Sequence, residues 1–187
     1  RGRIPGMVSI SERPPEIEDR AVPGHWEGDL IMGSTASNSA VGTLVERATR
    51  FTLLLHLPDG HTALAVQEAI VAKMAGLPAI LRKTLTWDQG KEMANHIEIA
   101  AATDLDIYFC DPHSPWQRGT NENTNGLLRQ YFAKGTDLSV FPADYLDYVA
   151  TKLNRRPRQT LGWKTPAEAL DELLSNPFKP PAVASTA

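Results

Sequence analysis

Three runs rich in apolar and β-branched residues, 26–32, 41–46 and 51–57, follow one another with connections too short to hold a crossover helix. Parallel neighbours need a crossover of about a dozen residues or more, so the simplest arrangement is three consecutive antiparallel strands. Beyond Pro58-Asp59-Gly60 the pattern changes. Thr62 is placed to cap a helix in which Leu64, Ile70, Val71, Met74 and Leu77 recur at helical spacing, with Gly76 and Pro78 as stop signals. A short strand over 84–87, a helix over 91–103 and a buried strand over 107–110 follow, before the loop Asp111-Pro112-His113-Ser114-Pro115. Antiparallel strands followed by alternating strands and helices predict an α/β fold with a mixed central sheet.

The C-terminal part reads as helical. Tyr145, Leu146, Val149 and Leu153 share one face after Pro142, and a break is expected at Arg156-Pro157. A further helix is predicted from Thr165, which has the capping-box spacing to Glu168 with Pro166 at the first helical position. Residues 1–24 contain four prolines and mixed charges without a period, and read as an extended lead-in to a core over 25–176. The tail 177–187 is expected to be disordered.

Composition narrows the class of protein. One cysteine, Cys110, excludes an internal disulfide and fits a reducing cytoplasm. No run of apolar residues is long enough to span a bilayer, so no membrane partner is expected. The net charge of −3 does not exclude nucleic acid, because two divalent cations held by carboxylates would turn it into +1.

Three carboxylates occupy informative places. Asp29 sits inside the apolar run Gly28-Asp29-Leu30-Ile31, where an unpaired carboxylate costs several kcal/mol of desolvation unless something positive meets it. Asp88 ends the strand Leu85-Thr86-Trp87, at the kind of strand end where α/β sheets place ligands, and Gly90 lets the chain turn away. Glu122 lies in a predicted helix whose apolar face carries Leu127, Leu128, Tyr131 and Phe132, while Arg118, Glu122, Asn125 and Arg129 fall opposite. Hard oxygen donors without a His or Cys cluster select Mg²⁺, with Mn²⁺ as substitute, over zinc. Two such ions roughly 3.5 to 4 Å apart suit phosphodiester cleavage and transfer.

Each acid also has a purely structural reading: Asp29 paired with an arginine, Asp88 making a turn, Glu122 a solvated helix residue. The same holds for the other candidates. His113 is either a locally bonded loop histidine or a DNA contact. Arg155, Arg156 and Arg158, three arginines in four residues without acids, are either a solvated helix end or phosphate contacts. Trp26, Trp87, Trp116 and Trp163 are expected in core or rim packing rather than as platforms for bases.

The strings GHWEGDLI (24–31), GTLVERATRF (42–51), LTWDQGKEM (85–93), YFCDPHSPWQRGTNENTNGLLRQYF (108–132) and NRRPRQTLGWKTPAE (154–168) resemble bacterial transposases of the insertion-sequence-thirty family. The resemblance implies a ribonuclease-H-like fold with helices on both faces of the sheet and an Asp, Asp, Glu triad at Asp29, Asp88 and Glu122. It also implies a basic position at Arg129. Relatives carry an N-terminal helix-turn-helix region that this chain does not show before residue 24, so a catalytic core is expected. Ala133 stands where relatives tend to have proline.

The expected activity is metal-dependent cleavage of double-stranded DNA at element ends and joining of the freed 3'-hydroxyls to target DNA. His113, Arg118, Asn121, Asn125, Arg129, Arg155, Arg156 and Arg158 are the expected DNA contacts. Self-association is expected in the complex that brings two ends together, and no small-molecule substrate is expected. Two competing readings are a catalytically silent DNA-binding or assembly module and a plain nuclease of the same fold.

Overall fold

The computed structural model describes residues 3–175; the tail expected to be disordered lies outside them. β1 (His25–Met32), β2 (Ala40–Glu46) and β3 (Thr52–Leu57) are the three predicted antiparallel strands. β4 (Thr84–Trp87) and β5 (Asp106–Phe109) extend the sheet from the other side of β1 in parallel, giving the order β3-β2-β1-β4-β5. α1 (Ala63–Met74) connects β3 to β4, and α2 (His96–Thr103) connects β4 to β5. α3 (Gly119–Leu128), α4 (Ala143–Asn154) and α5 (Pro166–Ser175) follow.

Strand alternation divides the core into two layers. On one face Trp26, Leu44, Leu55, Leu85, Trp87 and Phe109 pack with Val66, Ile70 and Met74 of α1 and Ile99 of α2. On the other, Ile31, Val41 and Leu54 pack with Leu128 of α3 and with Leu146, Val149 and Leu153 of α4. Both faces are covered by helices, so the strands that carry candidate acids are fixed from both sides.

The predicted caps form. The Thr62 hydroxyl accepts from the Ala65 N–H at 3.2 Å, and Thr165 and Glu168 exchange side-chain to backbone bonds of 3.1 and 3.2 Å. The predicted helix over 91–103 is split. A 3-10 turn, Lys91–Met93, precedes α2, because Asn95 leaves the helical backbone and makes no side-chain cap.

The extended lead-in is corrected. Residues 10–12 and 15–19 form 3-10 turns, and the segment docks on the core through buried Ile4, Arg13 and Ile17. Ser9 bridges Phe109 at the open edge of β5. The prolines read as breakers of regular structure here set short turns, and two apolar side chains and one arginine anchor them.

His25 supplies a pH-dependent term to this packing. Its Nδ1 lies 2.8 Å from the Thr84 hydroxyl, and burial, helped by Lys83 and Arg47, pushes its pKa from 6.5 down to about 4. The unfolded chain therefore binds a proton that the folded chain refuses, so stability drops as pH falls through the window from 6.5 to about 4. Urea melts across that window should show a shallower drop for His25→Gln than for the parent; equal slopes would remove His25 as the cause.

Candidate active site

β1 places Glu27, Asp29 and Ile31 on the sheet face covered by α3 and α4, because successive side chains alternate. Glu27 pairs in register with Thr86 of the parallel strand β4, so Thr86 and, two residues on, Asp88 fall on the same face. The two aspartates thus arrive side by side from neighbouring strands. Asp88 caps its own turn, its Oδ1 accepting from the Gly90 N–H at 2.8 Å.

One guanidinium stands between them. Arg118 Nη1 lies 3.3 Å from Asp29 Oδ2, and Nη2 lies 3.6 Å from Asp88 Oδ2. Arg118 is itself buried and donates to the Gly28 carbonyl at 2.9 Å. Burial raises the pKa of Asp29, with Arg118 opposing and Asp88 adding to the rise. Burial works against the charge of Arg118, but the two carboxylates outweigh it and raise its pKa. The arrangement is a pair of hard oxygen ligands held beside a cation in a half-buried site.

α3 runs along β1 and supplies the rest. Asn125 Nδ2 donates to Asp29 Oδ2 at 3.1 Å, and Arg129 Nη1 reaches the carbonyls of Met32 and Phe132 at 3.2 and 3.3 Å. The Asn125 carbonyl oxygen is buried and has no donor, which leaves a further oxygen beside the aspartates. Glu122, one turn before Asn125, is exposed and makes no hydrogen bond or ion pair among the described residues. No group of three acidic or histidine side chains is gathered into a cation site among the described residues. The structure brings Asp29 and Asp88 together about Arg118 and leaves Glu122 exposed on α3, one turn from both Arg118 and Asn125.

The expectation that Asn121 meets DNA is corrected. Its side chain is 0% exposed and is spent inside the fold, donating to the Glu27 carbonyl at 3.3 Å and to the Thr43 hydroxyl at 3.0 Å. Its backbone N–H donates to Glu27 Oε2 at 2.8 Å, and Glu27 Oε1 accepts from Arg47 Nη1 at 2.6 Å. This buried network ties the start of α3 to β1. Sequence reading missed Glu27 and Arg47; the signal was a charged residue two places before Asp29, on the same strand face.

The remaining candidates are dispersed. His113 is exposed with left-handed backbone, φ 57°. Arg155 and Arg156 are exposed after α4, and Arg158 folds back to donate to the Leu153 carbonyl at 3.1 Å. Trp26 and Trp87 are in the core as expected, whereas Trp116 and Trp163 are 74% and 68% exposed.

Residues 19–115 match the family model described as integrase core domain. The chain belongs to the integrase core family. It is 59% identical over 177 residues to the transposase for insertion sequence element IS1086 of Cupriavidus metallidurans, an alignment covering 95% of this chain and 52% of that protein. It is 51% identical over 162 residues to transposase InsI for insertion sequence element IS30A of Escherichia coli, covering 87% of this chain and 42% of the relative. The chain therefore spans about half the length of the curated relatives it matches.

Solved structures agree on the fold. A chain of the simian T-cell lymphotropic virus intasome, solved with the PP2A regulatory subunit B56 gamma, superposes with a TM-score of 0.67 at 19% identity, covering 89% of this chain and 60% of that one. The catalytic core domain of BIV integrase gives a TM-score of 0.59 at 17% identity, covering 83% and 99%. The integrase core is thus a ribonuclease-H-like sheet, and its relatives by sequence are insertion-sequence transposases.

Proposed function

We propose that this integrase core is the catalytic domain of a DNA transposase of the insertion-sequence-thirty type, which cleaves element ends and joins their 3'-hydroxyls to target DNA. The observation that carries the reading is the pairing of Asp29 and Asp88 about Arg118 on one face of the sheet. The donor set fits a hard divalent cation: two carboxylates and a buried amide oxygen, while the nearby Cys110 keeps its proton because burial pushes its thiol up to about 11. Asp29 and Asp88 would hold Mg²⁺, with Mn²⁺ as substitute, and Glu122 from α3 would complete the set for a second ion. When bound, the ions would activate the attacking water or hydroxyl and neutralise charge at the scissile phosphate.

The chain's own groups do the rest. Arg118, now neutralising the aspartates, becomes available to a phosphate once a cation takes over that charge. Asn125 fixes the Asp29 carboxylate, and the Glu27 network fixes the helix from which Asn125 and Glu122 project. Arg129, Arg155, Arg156, Arg158 and His113 lie outside that network and serve to position DNA. On this reading, synapsis of two ends calls for self-association, and the reaction with DNA would take place in the bacterial cytoplasm. No helix among the described residues is long and apolar enough to cross a membrane.

The test is incubation of a full-length protein containing this core with labelled element-end duplexes and Mg²⁺ or Mn²⁺, with products separated by size. Metal-dependent joined products are expected. Hydrolysis without joining would make it a nuclease, and binding without chemistry would make it a silent module; either result replaces the proposal.

A further inference from the structure

Beside Glu122 on α3 lies an open groove of about 560 Å³ whose lining includes Arg20, Arg50, Trp116, Thr120, Glu122 and Asn123. Three separate segments supply it: the end of the lead-in, the β2–β3 turn and the start of α3. Arg20 donates to the Thr120 hydroxyl, so the lead-in is fastened to the helix that carries Glu122. Arg50 makes no side-chain hydrogen bond or ion pair among the described residues.

The cationic character continues past the groove. Asn154, buried at the end of α4, pairs with both the N–H and the carbonyl of Thr52 at 2.9 Å. That clamp sets the C-terminal end of α4 beside the β2–β3 turn, which brings Arg156 and Arg158 towards Arg50. Burial lowers the pKa of Arg50, with Arg20 adding to the effect, and burial lowers that of Arg158, with Arg156 and Arg50 adding. None of these four arginines forms an ion pair with an acid among the described residues. A chain of net charge −3 has gathered four arginines without ion-paired acids, with Glu27 alone among its carboxylates acting on Arg50.

Two further features point to a ligand. Arg20 and Arg50 both hold left-handed backbone, φ 53° and 61°, a conformation that glycine adopts at no steric cost. Trp116 sits on a 3-10 turn, Pro115–Arg118, with 74% of its surface exposed. Exposed indole beside unpaired guanidinium groups is the combination that binds single-stranded nucleic acid, cations on the phosphates and the ring against a base.

We propose that this groove holds the DNA strand next to the scissile phosphate, with Arg20 and Arg50 on successive phosphates and Trp116 stacked on an unpaired base. The proposal rests on the transposase reading for the identity of the strand. Arg156 and Arg158 extend the phosphate track, and Glu122 at the rim links the groove to the acids. The occupant is therefore DNA with an opened end rather than an uninterrupted duplex.

The test uses this chain without added metal, so it needs no catalysis. Fluorescence anisotropy would follow binding of a labelled duplex with unpaired bases at one end, and of its fully paired counterpart, over a salt series. In the double variant Arg20→Gly, Arg50→Gly, glycine suits the left-handed backbone at both positions and offsets the lost Arg20–Thr120 bond, so the variant should stay folded, as its melting curve would show. Its plot of log affinity against log salt should flatten by about 1 for each arginine removed. Trp116→Ala should weaken the frayed probe about tenfold and leave the paired one unchanged.

An unchanged salt slope in the double variant, equal losses on both probes for Trp116→Ala, or no binding by the parent chain would each overturn the groove. If the groove fails while the full-length protein still joins DNA, the transposase reading stands. If the groove variants behave as expected and no metal-dependent chemistry is found, the reading falls and the groove remains.

Discussion

Asp29→Asn and Asp88→Asn are each expected to reduce metal-dependent strand cleavage by about 10³-fold or more, while leaving the metal-free fold intact. The size follows from the several kcal/mol of charge stabilisation that a cation supplies at a phosphoryl centre, at about 1.4 kcal/mol per tenfold in rate. For Asp29→Asn the intact fold follows from the pKa of Asp29, which burial raises above its ordinary value of 3.8; for Asp88→Asn it follows from the half-exposed position of that side chain, 43% accessible. A raised acid pKa means that folding favours the neutral form. That contribution is complete below the unfolded pKa and is lost as pH rises through the folded one. At neutral pH the parent therefore carries a cost that the neutral amide of Asp29→Asn does not.

Metal binding reverses the comparison. A ligand present at about a hundredfold excess over Kd stabilises the parent by about 2.7 kcal/mol, a rise of several degrees in Tm for a chain of this size. Neither variant should show that rise, and the parent's response to Mg²⁺ should fade in acid as Asp29 takes up its proton. Melting curves with and without Mg²⁺ decide the matter independently of activity. A Tm response in both variants equal to the parent's would remove the aspartate pair as the cation site.

Much of this site was legible because period-two alternation is strict. An aspartate inside the apolar run of β1 and another at the end of β4 have to share a face once the two strands pair in parallel. Capping chemistry was equally local, which is why Thr62 and the Thr165–Glu168 pair are where the sequence predicts them. What pattern reading could not supply is partnership across distance. Arg118 looks like one more cation on a polar helix face, and only the fold shows it between Asp29 and Asp88.

The lead-in is a second instance. Arg13 reads as a charge in a proline-rich segment, yet it is buried and donates to the Thr86 hydroxyl at 3.1 Å. The tryptophans show the opposite error. Size and apolarity suggested packing for Trp116 and Trp163, and the structure leaves both exposed, Trp116 on a 3-10 turn and Trp163 in the left-handed step that follows one. Exposure of a large ring is decided by what packs over it, which no local pattern contains.

Arg47→Met is expected to destabilise the fold by about 3 to 5 kcal/mol, because it leaves the Glu27 carboxylate buried without its counter-charge. Glu27 is 0% exposed, and its two oxygens are committed, one to Arg47 at 2.6 Å and the other to the Asn121 N–H at 2.8 Å. Removing the guanidinium leaves one backbone donor to hold a full charge. At roughly 2 to 4 °C per kcal/mol for a chain of this size, Tm should drop by about 10 °C. Glu27→Gln in the same background removes the charge while keeping an acceptor for Asn121, so the double variant should recover most of the loss. Additive losses in the double variant would mean that Glu27 and Arg47 act separately. Recovery would identify the pair as the anchor of α3, and with it the reason Asn125 meets Asp29 at 3.1 Å.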